Sequence, residues 1–194
     1  MRVMTHRNET EYQNIVKAKL ELLYSEVEVQ WRPFRGEGRG IYAPIVDIAV
    51  GPFAIEAQYG NRYAELLTET HDFIDRLIEK HNANVEDDDE QTSFRRVGRF
   101  NRNARCLLCI EIEDSGGRKH CLGDLVNASA LGRIGLLVAR SKKTLKVFLR
   151  QRVYLNYLKS VRKNTFRTDN ALVLTEAQFD ECLDAIGKRT APSP

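Results

Sequence analysis

The chain has 194 residues, of which 42% are hydrophobic and 29% charged, and its formal net charge is +3. This composition is typical of an ordinary globular domain and argues against a disordered chain. No apolar run approaches the ~18 residues that a membrane-spanning helix needs, and the charged start of the chain does not resemble a signal peptide. We therefore expect a cytoplasmic protein that does not contact membranes.

Apolar periodicity predicts alternating helices and strands along the chain. Ser141 and Thr175 are expected to cap the helices that they precede, and Gly132 to cap the C-terminus of another. The predicted elements are a helix over 9–24, strands over 27–31 and 41–50, a helix over 63–81, a strand over 104–113, a helix over 120–131, a strand over 134–139, a helix over 141–163, a strand over 171–174 and a helix to 186.

This order predicts an α/β sandwich with a mixed central sheet. We interpret residues 1–187 as a single domain and residues 188–194 as a disordered tail. An insertion over about 52–103 contains a helix and an acidic run, Glu86–Glu90, which is interpreted as a solvated loop rather than a metal site.

The four cysteines include a Cys-x-x-Cys pair, Cys106 and Cys109, followed by His120 and Cys121. This spacing is compatible with zinc. A separation of three in a strand, however, directs Cys106 and Cys109 to opposite faces. We therefore favour buried, reduced cysteines over a zinc site.

Three acidic residues of the predicted strands follow longer apolar runs. Glu111 and Glu113 alternate at the end of one strand, and Asp47 follows an apolar run in another. Alternate residues project from the same face of a strand, so Glu111 and Glu113 are expected to lie together. Neighbouring carboxylates repel each other unless they bind a cation or are well solvated. The pattern therefore predicts a divalent-metal site, with solvated carboxylates on an edge strand as the alternative.

The order of elements and these acids resemble the PD-(D/E)xK nuclease superfamily, whose members have the restriction-endonuclease-like fold. The resemblance covers about residues 9–139. It rests on Pro44-Ile45-Val46-Asp47 as the first half of the motif and Glu111-Ile112-Glu113 as the second. It implies a three-layer sandwich with the mixed sheet flanked by helices.

The resemblance also implies roles for individual residues. Asp47 and Glu111 would bind Mg²⁺ or Mn²⁺, helped by the carbonyl of Ile112. Glu113 stands where the family usually has a lysine, as in some active members, and Lys119 would supply a displaced cation. An acid of the first helix adds to the site in some members, and Glu11 and Glu21 are both candidates.

The helix after the Glu111 strand has a polar stripe of His120, Asp124 and Asn127. This stripe either borders the site or is an ordinary exposed face. Arg118 and Lys119 lie at the start of the same helix, where a phosphate would be favoured.

Basic residues concentrate near the C-terminus, because residues 140–167 contain ten Lys or Arg and no acid, which leaves the rest of the chain net acidic. Lys142, Lys146 and Arg150 recur every four residues and so share one helix face. With Arg118 and Arg39, they predict contacts with nucleic-acid phosphates. A solvated helix or one that docks an acidic protein is the alternative.

Together these features predict a metal-dependent nuclease that hydrolyses phosphodiester bonds in DNA. A domain of this size is expected to act as a homodimer or as a subunit of a larger complex, as in restriction or anti-phage defence systems. The alternatives are a catalytically inactive nuclease-fold subunit that binds nucleic acid or a partner protein, and an enzyme that uses the acids for other metal chemistry.

Overall fold

The computed structural model of the protein describes residues 8–34, 43–55, 57–86, 90–163 and 166–187. Five strands form one sheet in which their spatial order follows the chain. The first three are antiparallel neighbours, whereas the third, fourth and fifth run parallel. The strands are β1 (Val27–Trp31), β2 (Val46–Val50), β3 (Cys106–Glu113), β4 (Gly132–Ala139) and β5 (Ala171–Thr175).

Two buried hydrophobic clusters pack helices against this sheet. One contains residues of α1, α2, α3 and α7, and the other contains residues of α5 and α6. The helices are α1 (Glu9–Leu20), α2 (Gly60–Glu69), α3 (His71–Asn82), α4 (Phe94–Val97), α5 (Arg118–Leu131), α6 (Lys142–Ser160) and α7 (Glu176–Gly187). The predicted α/β class with a mixed central sheet is confirmed.

The parallel strands β3 and β4 are mostly apolar because helices cover them, with Glu111, Glu113 and Arg133 as the charged exceptions. Every residue of β4 is buried, and all of β3 is buried except its last residue, Glu113. Parallel strands covered on both faces need such continuous apolar sequences. β3 is the middle strand of the five, which places its carboxyl end and Glu111 between elements from both halves of the chain.

Several predicted boundaries are wrong in detail. The first helix ends at Leu20 rather than residue 24, and the second strand starts at Val46. The helix predicted over 63–81 is two helices, α2 and α3, which meet at Thr70. The Thr70 hydroxyl donates to the carbonyl of Leu66 and accepts from Tyr24, so this buried residue anchors the junction.

The predicted helix caps are confirmed at all three positions. Ser141 accepts a hydrogen bond from the Thr144 amide and Thr175 accepts one from the Gln178 amide, as N-caps do. Gly132 is the C-cap of α5 and its amide donates to the carbonyl of Ala128, but its φ of −82° is not left-handed because the residue leads directly into β4. A Cβ at Gly132 would lie 2.9 Å from the Cβ of Cys109, so close packing requires glycine there.

All four cysteines are free and buried. Cys106 and Cys109 belong to the same hydrophobic cluster, so the expectation that they face opposite sides is wrong. The reason is local, because the successive residues Leu107 and Leu108 both join the other cluster and interrupt the alternation of β3.

Two further expectations concern loop and tail segments. In the acidic run, residues 87–89 lie outside the described residues, as does the tail over 188–194. Glu90 is not solvated as expected, since its side chain is paired with the buried Arg152. In the described part of the chain, no helix is long and apolar enough to cross a membrane.

Candidate functional site

Three polar residues lie side by side on neighbouring strands: Gln30 on β1, Asp47 on β2 and Glu111 on β3. Ile48 pairs with Ile110 in the antiparallel β2–β3 ladder, so the next residues along, Asp47 and Glu111, are also opposite each other. The neighbours of Gln30 pair in the same way with the neighbours of Asp47. The sheet therefore places one amide and two carboxylates in a row.

Asp47 is held by hydrogen bonds from three elements. Its Oδ2 accepts from the Ile112 amide at 2.7 Å. Its Oδ1 accepts from the side-chain amides of Gln13 on α1, at 3.1 Å, and Gln30 on β1, at 3.2 Å. The Asp47 amide in turn donates to Oε2 of Glu111 at 3.3 Å. This network fixes the position of the Asp47 carboxylate against β3.

Glu111 is the most unusual residue of the row. The residue is only 4% exposed, and its Oε1 has no hydrogen-bond partner among the described residues. Burial raises the pKa of Glu111 well above its usual range, and the charges of Asp47 and Asp124 raise it further. The Asp47 amide and the Asn127 side chain act in the opposite direction. A buried carboxylate oxygen without a donor is costly unless a ligand completes the site.

Two more carboxylates share this environment. Burial and the nearby charges of Glu9 and Glu113 raise the pKa of Asp47 to about 6, against lowering by its hydrogen bonds. Burial, the charges of Glu113 and Asp47, and a hydrogen bond to Glu113 raise the pKa of Asp124 to about 7. Each of these carboxyl groups therefore keeps its proton to a higher pH than an exposed carboxyl does, because burial and the neighbouring carboxylates disfavour its ionised form.

Gln30 adopts a backbone conformation that is uncommon for a residue with a side chain. Its φ is +50°, in the left-handed region, which costs an L-residue roughly 1–2 kcal/mol. In this conformation the Gln30 amide donates to Asp47 and also to Oε1 of Gln13, at 3.2 Å. Backbone strain of this kind recurs at functional sites.

The structure brings some of the predicted site residues together and leaves others apart. Asp47 and Glu111 are in contact. Glu113 lies two residues further along β3, where its Oε1 accepts from the amide and the hydroxyl of Ser115, both at 2.6 Å. Lys119 is exposed on α5 and makes no hydrogen bond or ion pair with these carboxylates in the described structure. The expectation that Lys119 replaces the family's lysine therefore has no support from contacts.

The first helix approaches the site through residues that the sequence did not single out. Gln13 contacts Asp47, and Glu9, one turn earlier, raises its pKa. Neither predicted acid is seen in contact with Asp47, and Glu21 instead lies 3.7 Å from Lys17. The signal that sequence reasoning missed is a polar residue, Gln13, that is 2% exposed within the apolar stripe of α1.

The donor atoms suit a hard divalent cation such as Mg²⁺. All are oxygens, one of them is buried without a partner, and the carboxylates repel one another. Within the described ranges, no three His, Cys, Asp or Glu side chains are grouped so as to hold a metal ion. Mg²⁺ does not need such a cage, since it is usually bound by one or two carboxylates together with water and substrate phosphates.

A basic cleft lies beside the carboxylates. Its lining residue Gly116 directly follows Ser115, the hydrogen-bond donor to Glu113. The cleft has a volume of about 460 Å³ and contains four of the predicted nucleic-acid contacts. It is lined by Gly116, Arg118, Lys142, Lys143, Lys146, Val147 and Arg150. The fifth, Arg39, lies outside the described residues.

The basic segment is less uniform than its sequence suggests. Three of its ten cations form ion pairs with acids from elsewhere in the chain: Arg140 with Glu176, Arg152 with Glu90, and Lys159 with Asp169. These three pair within the fold, whereas the cations that line the cleft form no ion pair among the described residues.

Comparisons with known proteins add no assignment. A scan against protein-family models finds no match, and no curated protein and no solved structure matches the chain. Geometry and chemistry are therefore the basis on which the site is interpreted.

Proposed function

We propose that the protein is a metal-dependent nuclease of the PD-(D/E)xK type, with a restriction-endonuclease-like core, that hydrolyses phosphodiester bonds in DNA. The observation that carries the proposal is the Asp47–Glu111 pair, in which Oε1 of the buried Glu111 lacks a hydrogen-bond partner among the described residues. The order of elements, α1-β1-β2 and then β3-α5-β4, supports the same fold. So do the pairings, which are antiparallel for β1–β2 and β2–β3 and parallel for β3–β4.

The two carboxylates and the carbonyl of Ile112 would hold the Mg²⁺ or Mn²⁺ ion. A bound divalent ion supplies charge stabilisation on the phosphate and lowers the pKa of a water molecule. The Gln13 and Gln30 amides hold Asp47 in position before substrate arrives, which reduces the reorganisation needed during reaction.

Asp124 and Glu113 provide a proton acceptor beside the pair. A general base works best when its pKa is near the operating pH, and the pKa of Asp124 is about 7. We assign to Asp124, hydrogen-bonded to Glu113, the uptake of the proton from the attacking water. This role takes the place of the lysine that the motif lacks.

The basic cleft would bind the phosphates that flank the scissile bond. Its lysines and arginines are exposed and lie next to the loop after β3, which contains Ser115 and Gly116. Phosphate contacts of this kind give salt-dependent affinity without sequence preference. Specificity would then require a second copy or a partner subunit.

A direct test is cleavage of plasmid and single-stranded DNA with Mg²⁺ or Mn²⁺, against EDTA. We expect Asp47→Ala and Glu111→Ala to reduce the rate at least ~100-fold, because each removes a cation-binding carboxylate. Asp114→Ala, an exposed acid one residue beyond the motif, is the matched control and should cleave normally. Cleavage by the Glu111→Ala protein at the wild-type rate would contradict the site assignment.

The second candidate is a catalytically inactive subunit of the same fold that binds nucleic acid or a protein. It is favoured by one observation, which is that Glu113 stands at the motif's lysine position while Lys119 makes no contact with the carboxylates in the described structure. In that case no metal-dependent cleavage occurs, and DNA binding is retained in EDTA and weakens as salt is raised.

A further inference from the structure

One face of α6 is exposed along its whole length and has two chemically different halves. Its N-terminal half displays four cations, and its C-terminal half displays apolar and aromatic side chains. At 3.6 residues per turn, all eight positions fall within about a third of the helix circumference. The face comprises Lys142, Lys143, Lys146, Arg150, Val153, Tyr154, Tyr157 and Val161.

The two tyrosines are the most exposed aromatic residues of this face. Tyr154 is 55% exposed and Tyr157 is 61% exposed, and the flanking Val153 and Val161 are 49% and 43% exposed. Neither phenol hydroxyl has a hydrogen-bond partner among the described residues. Side chains that pack in the core or tie α6 to the sheet lie elsewhere on the helix, as with the buried Phe148 and Arg152.

We propose that this face of α6 binds a single-stranded nucleic-acid segment, with phosphates on the cationic half and bases stacked on Tyr154 and Tyr157. The proposal deepens the proposed nuclease function. It rests on that function for the path of the bound segment, which would lead to the carboxylates. The cationic half forms one wall of the basic cleft beside Gly116 and Ser115, so the segment would run from the tyrosines toward the carboxylates.

Single-stranded nucleic acid fits both halves better than a duplex does. Sites for single strands combine a cationic track with aromatic rings on which bases stack. In a duplex the base faces are already stacked on one another, so exposed tyrosines on a convex helix would find no base face to cover. The cationic half would serve either form of nucleic acid, and the tyrosines therefore distinguish them.

A second copy of the chain fits this face poorly. No acid occurs between Lys142 and Lys163, so two such faces packed together would bring eight cations into one interface without a neutralising carboxylate from the face. The apolar half has only four side chains, and stable interfaces bury about 800 Å² on each partner.

The test is fluorescence anisotropy in EDTA, where binding is measured without cleavage. The probes are labelled oligothymidylate, labelled oligouridylate and a labelled DNA duplex of equal length. We expect the single-stranded probes to bind more tightly. The double variant Tyr154→Leu/Tyr157→Leu keeps apolar area but removes the rings, and should weaken single-strand binding at least ~10-fold while duplex binding changes little.

Two further variants separate stacking from other causes. Tyr154→Phe/Tyr157→Phe keeps the rings and should bind single strands as wild type does. Lys142→Gln/Lys146→Gln should weaken every probe and lower the salt dependence, because two phosphate contacts are lost. Tyr59→Leu, a 37% exposed tyrosine before α2, is the matched control and should have no effect.

Several results would overturn the proposal. One is equal affinity of wild type for single-stranded and duplex probes, and another is unchanged single-strand binding by the leucine double variant. A third is a wild-type dimer in sedimentation that Tyr157→Asp converts to a monomer, since the face would then be a self-association surface. If Asp47→Ala has no effect on cleavage but the leucine variant loses single-strand binding, the nuclease site is wrong and the binding face stands.

Discussion

Two regions of the molecule bury carboxylates, and they differ in whether cations or neutral groups surround the carboxylates. Around Arg152, each acid has a cation beside it: Glu90 accepts from Arg152 at 2.7 Å, and Asp169 lies 2.8 Å from Lys159 and 3.3 Å from Arg96. Around Asp47 and Glu111, the donors are neutral amides, and carboxylates face one another.

The pKa values follow this difference. Burial alone would raise the pKa of Asp169, but hydrogen bonds and charges from Lys159 and Arg96 outweigh it and hold the pKa below its ordinary value. At Asp47, burial is opposed only by neutral hydrogen bonds and reinforced by Glu9 and Glu113, so the pKa rises to about 6. The first region pairs its carboxylates with cations of the chain itself, and under the proposed function a bound Mg²⁺ ion would do the same for the second.

The largest expected effect comes from breaking the completed region. Arg152 is 1% exposed and its guanidinium binds both the carbonyl and the carboxylate of Glu90. Arg152→Ala should lower the free energy of unfolding by about 3–5 kcal/mol, because it leaves a half-buried carboxylate without its cation. Urea denaturation monitored by circular dichroism measures this change.

Arg150→Ala is the control for this prediction, since Arg150 is exposed two residues earlier on the same helix. Its effect should stay within about 0.5 kcal/mol. Equal destabilisation by the two substitutions would mean that the Arg152–Glu90 pair contributes nothing beyond the helix itself.

In the carboxylate site, by contrast, we expect a substitution to raise the free energy of unfolding. The pKa of Asp47 is raised from 3.8 to about 6 on folding, so ionisation favours the unfolded chain and wild-type stability falls as pH rises through this range. Asp47→Asn removes that cost and should stabilise the metal-free protein at pH 8 by about 1–3 kcal/mol, with no gain below pH 4. Urea melts in EDTA from pH 4 to pH 8 measure the difference.

Asp114→Asn, at an exposed position after β3, is the control and should show no such trend. A wild-type protein that gains stability between pH 4 and pH 7 relative to Asp47→Asn would refute the charge imbalance. Stabilisation with loss of cleavage would be the signature of a functional site that the fold alone does not favour.

The sequence predicted most of what depends on apolar periodicity. It predicted the apolar strands β3 and β4 and the caps Ser141, Thr175 and Gly132, because their signals are local. It also placed Asp47 and Glu111 on neighbouring strands. It did not predict the junction at Thr70 or the close approach of Gly132 to Cys109, since both involve residues that are far apart in the chain.

The missed parts of the site have the same origin. Gln13 and Gln30 are ordinary residues in sequence, and only the packing of α1 and β1 directs both amides to Asp47. The basic residues of 140–167 were interpreted as one strip because composition does not show where each side chain points. Arg140, Arg152 and Lys159 point to acids elsewhere, and only the tertiary structure separates them from the cations of the cleft.

The smallest expected effect tests the strained residue that links β1 to the carboxylates. Gln30 has a φ of +50° and donates to Asp47. Gln30→Gly removes the strain of about 1–2 kcal/mol but also hydrogen bonds worth about 1 kcal/mol each, so the free energy of unfolding should change by less than about 1 kcal/mol. The pKa of Asp47 should rise further, because the Gln30 amide stabilises its ionised form.

Gln30→Asn separates these two contributions. Asn tolerates positive φ, but its shorter side chain cannot reach Asp47 as Gln30 does. A carboxyl titration of Asp47 by NMR should therefore move upward in both variants, whereas the strain is relieved fully only by glycine. A loss of more than 2 kcal/mol in Gln30→Gly would show that Gln30 supports the fold, and an unchanged Asp47 titration would show that Gln13 and the Ile112 amide hold the carboxylate without it. Together, the free energy of unfolding and the Asp47 titration show whether the strained conformation of Gln30 serves to position Asp47 or has no role in the site.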